Sequence, residues 1–289
     1  MLRRLTLPWI FTLAALVTMA LTAGAVWQFP GDLETMLRAL VPAWIGIAAV
    51  FWVLWRQIAP ANPDSANPDL PPRPLTTDFT PLRLDMRYAD IASLPLESLD
   101  YVIVDTETTG LNVKRDEIVQ IGAVRIVDGK VLDGDSFERL VNPGRPIPKE
   151  SIRFHGITDE MVAHAPGIDE MLAEFLDYAG DAVLVGHNIA FDLSFMNRAG
   201  NVPNPSLDTM LLSIAAFPAR RDHTLDSLSG HFDEIVEGRH TALGDADLTA
   251  RIFLKLLPEI RRVGAATFGD AQDLCANAAD RIRDLRPYG

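Results

Sequence analysis

Asp105 and Glu107 stand two residues apart at the end of an apolar run, Tyr101-Val102-Ile103-Val104. Side chains alternate along a strand, so these two acids point to the same side. Aligned, poorly solvated carboxylates repel each other, and the arrangement is costly unless a cation lies between them. Two further stretches carry chemistry-bearing residues at element boundaries. Gly186-His187-Asn188-Ile189-Ala190-Phe191-Asp192 runs from a strand into a helix, and His240-Thr241-Ala242-Leu243-Gly244-Asp245 runs into another. Each residue also has an ordinary reading. An acid in a first helical turn offsets the positive end of the helix dipole, a histidine in a loop needs no role, and His187 reads as structural at its strand end.

The elements that must position these residues are legible in outline. Tyr101–Val104 predicts a strand buried on both faces. Ile118–Val127 and Val131–Val141 predict two more, joined through Asp128-Gly129-Lys130 in a meander. Helices are predicted over Thr158–Ala163 and Ile168–Tyr178, the latter with Met171, Leu172, Phe175 and Leu176 on one face. A fourth strand follows at Ala182–Val185, then a helix over about 190–198 and a short strand ahead of Asp208. Helices at 208–216, 224–231 and 244–257 complete a pattern that predicts an α/β fold, a mixed sheet flanked by helices.

Taken in order, Asp-x-Glu on the first strand, Asp at a helix start and His-x4-Asp before the last helix resemble the DEDDh exonuclease family, typified by the proofreading epsilon subunit of bacterial DNA polymerase III. The resemblance covers about residues 99–257 and extends to IVQIGAV, LVNPGRPIP, FHGITDEMV and LDTM between the motifs. It implies an RNase H-like, mixed five-stranded sheet. It implies that Asp105, Glu107, Asp192 and Asp245 hold two divalent ions, Mg²⁺ or Mn²⁺, with Asp105 touching both. His240 is implied as the general base, and histidine rather than tyrosine there selects the DEDDh branch. Thr108, Thr109, Gly110 and Leu111 are implied contacts of the terminal nucleotide, with Phe154 and His155 stacking on or bordering a base. His223, Asp208 and Asp226 match no family ligand and read as structural.

These residue types suit phosphodiester hydrolysis. Hard divalent ions prefer oxygen ligands, which carboxylates supply, and two such ions stabilise the entering and departing oxygens of an in-line displacement. Imidazole titrates near neutral pH and so suits the acceptance of a proton from water. The expected partner is nucleic acid with a free 3′ end, single-stranded DNA foremost. Two alternatives stay open: a 3′→5′ exoribonuclease of the RNase T or oligoribonuclease type, which shares this residue set, and a binding module without turnover, which loss of any of the five residues would have favoured.

Charge and hydropathy add the remaining constraints. The 289 residues carry 26 Lys+Arg against 39 Asp+Glu, a net charge of −13. The first 60 hold four arginines and two acids, which leaves 22 basic against 37 acidic residues on the rest, a net of −15. A body that acidic cannot coat a duplex by neutralising phosphates, whereas a local site for one strand end needs no basic track. The single cysteine, Cys275, excludes an internal disulfide and fits a reducing compartment.

All five tryptophans lie within the first 55 residues, where Leu5–Gly31 and Ala39–Trp55 are free of charge. About 20 apolar residues cross a bilayer core, so residues 9–55 predict two transmembrane helices that anchor the chain in lipid. Arg3, Arg4 and Arg56 flank the outer ends, which by the positive-inside rule places both termini, and the catalytic body, on the cytoplasmic side of a bacterial-type inner membrane. A cleaved signal peptide ending near Ala23-Gly24-Ala25 is the rival reading, and the second span would still anchor the chain. Ile58–Thr77 holds six prolines and predicts a semi-extended spacer. The expected organisation is therefore a membrane hairpin at 1–57, a Pro-rich linker and lead-in at 58–97, an exonuclease domain at 98–258 and a helical tail at 259–289. For the tail, packing on the body, binding a partner and contacting substrate are the three roles open to it.

Overall fold

Alternation along one strand organises the body. β1 (Tyr101–Thr108) is buried at every position, as its apolar start predicts, and both Asp105 and Glu107 lie within it rather than beyond its end. It is the central strand of a five-stranded sheet in the computed structural model, which describes residues 86–235 and 238–284. β2 (Ile118–Val127) pairs antiparallel with β1, and β3 (Lys130–Leu140) antiparallel with β2. On the other side β4 (Val183–Gly186) runs parallel to β1, and β5 (Ser206–Asp208) parallel to β4. The order is β3-β2-β1-β4-β5, the mixed sheet that the meander and the later short strands predict.

Helices α1 (Met86–Ile91), α2 (Lys149–His155), α3 (Asp159–Val162), α4 (Ile168–Ala179) and α5 (Ile189–Ala199) are joined by α6 (Thr209–Ala216), α7 (Leu225–Phe232), α8 (Ala242–Arg262) and α9 (Phe268–Asp284). The sheet separates two apolar layers. Tyr101 and Ile103 belong to a cluster with Leu248, Phe253 and Leu256 of α8 and Phe268 of α9. Val102 and Val104 belong to another with Phe175 of α4 and Phe191 and Phe195 of α5. Phe253 meets the Tyr101 ring edge-on at 4.9 Å. Full burial of such a side chain contributes roughly 1.5–3 kcal/mol, and the edge contact about 0.5–1.5 kcal/mol more.

The predicted end of the last body helix also moves. The helix expected to stop at 257 runs on as α8 to Arg262, with Pro258 inside it. Proline forfeits one backbone hydrogen bond there, but its ring is exposed while Leu256 and Ile260 on the buried face hold the helix together. A boundary at 258 therefore falls within a helix. Ala271, Cys275, Ala278 and Ala279 of α9 enter the same cluster as α8, so the described part of the tail takes the first of its three expected roles, packing. The lead-in also packs: Leu96 is buried, and its N–H donates to the Ala266 carbonyl at 3.1 Å. The short helices α1 and α2 had no apolar stripe to predict them. The spans expected within 9–55 and the spacer at 58–77 lie outside the described residues. Among the described residues no helix is long and apolar enough to cross a membrane.

Candidate active site

β1 and the first turn of α8 build the site. Asp105, Glu107 and Asp245 are all buried, and each places a carboxylate oxygen within 4.8 Å of the others. Alternation explains the pairing. Asp105 and Glu107 continue the face of Tyr101 and Ile103, the face on which α8 packs. Three carboxylates withdrawn from water in one place repel strongly unless a cation offsets them. An all-oxygen, convergent donor set fits a hard divalent ion.

Close backbone approach delivers Asp245. Gly122 pairs with Asp105 across β1 and β2, and a Cβ there would lie 2.2 Å from the Ala242 carbonyl carbon. Gln120, opposite Glu107, accepts from the Ala242 N–H at 3.1 Å and donates to Glu138 at 3.1 Å, tying the start of α8 to the sheet. We expect Gly122→Val to destabilise the fold by about 3 kcal/mol, since overpacking against backbone leaves nothing to yield but the helix. A thermal melt showing an unchanged midpoint would contradict this approach.

The turn before α8 is equally constrained. Thr241 caps the helix, accepting from the Gly244 N–H at 3.1 Å and donating to the Gly238 carbonyl at 2.7 Å. A Cβ on Gly244 would meet the Gly238 oxygen at 2.0 Å, so glycine lets the turn fold over the helix start. His240, half-buried, has φ +64°, a left-handed conformation that costs a non-glycine residue roughly 1–3 kcal/mol and tends to occur at functional sites. Its N–H donates to Asp245 Oδ1 at 3.2 Å, and its ring lies 4.8 Å from that of Phe154, tilted by 54°.

Asp192 is expected in the same group but stands outside this triplet. It sits on α5, which packs against the opposite face of the sheet. There its Oδ1 accepts from the Thr106 N–H at 3.0 Å and the Thr106 hydroxyl at 2.6 Å. Thr106 lies between Asp105 and Glu107, so Asp192 is fastened to the same stretch of β1 from behind. His187 shares a 3.0 Å hydrogen bond with Thr209, and His223 one of 2.8 Å with Ser213. Asp208 caps α6, accepting from Met210 and Leu211, and also from Asn188 at 3.1 Å. Burial pushes its carboxyl up to about 6 against the pull of those donors.

The expected substrate contacts divide. Thr108 donates to the Gly110 carbonyl at 2.7 Å, while the Thr109 hydroxyl accepts from the Glu117 N–H at 3.0 Å, so both hydroxyls serve the turn. Gly110 packs against Asp116, where a Cβ would meet Oδ2 at 2.5 Å, and Leu111 is half-buried. His155 is buried, with Nδ1 accepting from the Ile157 N–H at 3.0 Å, whereas Phe154 remains half-buried against His240.

Sequence reasoning missed Arg239. Its side chain is 5% exposed and its guanidinium bonds both Asp245 and Asp226. Burial opposes its charge, but attraction to the two aspartates more than offsets this and raises its pKa above the ordinary value. Nothing in the local pattern marks an arginine next to a histidine as buried.

Residues 102–253, more than half of the chain, match the model of the Exonuclease (RNase T) family, and the chain belongs to that family. Among curated relatives it is similar to a DNA polymerase III subunit epsilon-like protein of Rhodobacter capsulatus, 50% identical over 187 residues. That match covers 62% of this chain and 27% of the relative. A PolC-type DNA polymerase III of Bacillus subtilis is 35% identical over 200 residues, covering 67% of this chain and 14% of the relative. The chain thus spans about a quarter or less of the length of these relatives. Among solved structures, Exonuclease X in complex with 5′ overhanging duplex DNA matches with a TM-score of 0.50 and 28% identity, over 61% of this chain and 99% of that one. The fold is the RNase H-like exonuclease fold that the resemblance implies.

Proposed function

We propose that this protein is a divalent-metal-dependent exonuclease that removes nucleotides from the 3′ end of DNA while tethered to a membrane. One observation carries the reading: on a chain of the exonuclease family, three buried carboxylates converge beside a histidine held in a left-handed turn. Bound Mg²⁺ or Mn²⁺ ions would supply charge neutralisation at phosphorus and at the entering and leaving oxygens. Asp105, Glu107 and Asp245 would hold those ions, and Asp192, bonded to Thr106 between Asp105 and Glu107, would fix the stretch of β1 that presents them. His240 takes the proton of the attacking water at its imidazole, and Phe154 limits where that ring can swing. The turn from Thr108 to Leu111 meets the terminal nucleotide mainly through its backbone, because its hydroxyls are engaged internally. The exposed part of the Phe154 ring borders a base, a contact that tolerates any sequence.

The tether rests on the sequence. Two uncharged apolar stretches between residues 9 and 55, bracketed by tryptophans and arginines, and a proline-rich spacer would hold the body near the cytoplasmic face of the inner membrane. A net of −15 on the rest of the chain suits engagement of one strand end rather than wrapping of a duplex. DNA is favoured over RNA because the relatives at 50% and 35% identity are a DNA polymerase III subunit epsilon-like protein and a PolC-type DNA polymerase III.

The test uses the full chain in detergent with 3′- and 5′-labelled DNA and RNA oligonucleotides, in Mg²⁺, Mn²⁺ or EDTA. Stepwise loss from the 3′ end of DNA, stopped by EDTA, is expected. Loss from the 5′ end, or cleavage that resists EDTA, would sink the proposal. Faster trimming of RNA would make the protein an exoribonuclease instead.

A further inference from the structure

Arg239 places a buried positive charge on a carboxylate that the proposed metal site also needs. Its guanidinium bonds Asp245, one of the three convergent acids, and reaches Asp226 in the first turn of α7 with its other arm. The two partners differ: the Asp245 side chain is 9% exposed, and that of Asp226 is 39% exposed. A guanidinium is a fork that can hold two carboxylates at once, and it keeps its charge at any working pH. Asp245 cannot give its full charge to a divalent ion while sharing it with Arg239.

We propose that Arg239 is a built-in competitor for the cation site, setting the concentration at which the acids load with metal, and that Asp226 is the berth that draws it away from Asp245. This rests on the reading of Asp105, Glu107 and Asp245 as cation ligands. Without Arg239, Asp245 would lose the guanidinium that shares its charge, and the site would hold a divalent ion more tightly. Without Asp226, the guanidinium would keep Asp245 as its one strong partner and compete harder. The two substitutions therefore move metal affinity in opposite directions, which general damage to the site would not do.

Mn²⁺ binding is measured by titration calorimetry on the full-length chain in detergent, with no substrate present. Arg239→Gln should tighten binding roughly fivefold or more. Asp226→Asn should weaken it roughly threefold; Asp226 is partly exposed, and asparagine also suits a first helical turn. Arg239→Lys keeps the charge but cannot bridge both acids, so its affinity should fall between those of the wild type and Arg239→Gln. Should Arg239→Gln fail to fold, Asp226→Asn and Arg239→Lys still decide the matter. Equal affinities throughout, or shifts of the same sign for Arg239→Gln and Asp226→Asn, would overturn the competition while leaving the metal site standing. A wild-type chain that binds no Mn²⁺ would overturn both.

Discussion

Asp105→Asn is expected to lower the rate of 3′-end removal by about 10³-fold, the scale seen when one preorganised electrostatic group is deleted from an active site. Asparagine preserves the shape of the side chain, and β1 is held by its ladder with β2 and by the burial of its apolar neighbours on both faces. The fold should therefore persist. Its stability without metal should rise, because one of three crowded, buried carboxylates loses its charge and the repulsion falls. With millimolar Mn²⁺ the order reverses: the wild type gains in melting temperature through ligand linkage, and the variant gains little. A purely structural Asp105 predicts a different pattern, with lower stability under both conditions and a modest loss of rate. Melts with and without Mn²⁺, run beside the rate measurement, separate the two. A variant that melts lower without metal and keeps the Mn²⁺ response would refute the assignment.

How far the site can be read from sequence depends on the range of the forces that build it. Asp105 and Glu107 are placed together by alternation along a single strand, a rule that acts over two residues. The sheet follows from apolar runs of the right length. What stays hidden is set by contacts between distant segments. Asp192 belongs to the motif set, but only the packing of α5 behind the sheet reveals that its carboxylate is held by Thr106, 86 residues away, and stands outside the triplet. Arg239 looks like a surface arginine until α7 and α8 close over it with Asp226 and Asp245. Gly122 lies unremarked within a predicted strand, and its use as the point where α8 touches the sheet appears only in three dimensions. Pro258 misleads in the opposite sense, because local chemistry argues for a helix end and tertiary burial of Leu256 and Ile260 overrides it.

His240→Ala should cost about 10²–10⁴-fold in rate, the range typical of a lost general base, while leaving the affinity for Mn²⁺ within a factor of about two, since the side chain removed is outside the carboxylate triplet. That dissociation is what distinguishes a proton acceptor from a ligand, and it is the reverse of the Asp105→Asn pattern, where binding and rate fall together. The backbone should tolerate the change with some loss. Alanine is no better than histidine at φ +64°, and the contact with Phe154 disappears. The turn survives because Thr241 still caps α8 and the residue-240 N–H still donates to Asp245. Phe154→Leu provides the graded control. It keeps the imidazole and removes the ring it rests on, so the rate should fall by a smaller factor, roughly tenfold, through loss of orientation rather than of the base itself. If His240→Ala instead abolishes Mn²⁺ binding, the imidazole is part of the cation site. If Phe154→Leu costs as much as His240→Ala, the Phe154 ring is itself a substrate contact, and the aromatic pair must be read as a binding platform rather than as a base and its brace.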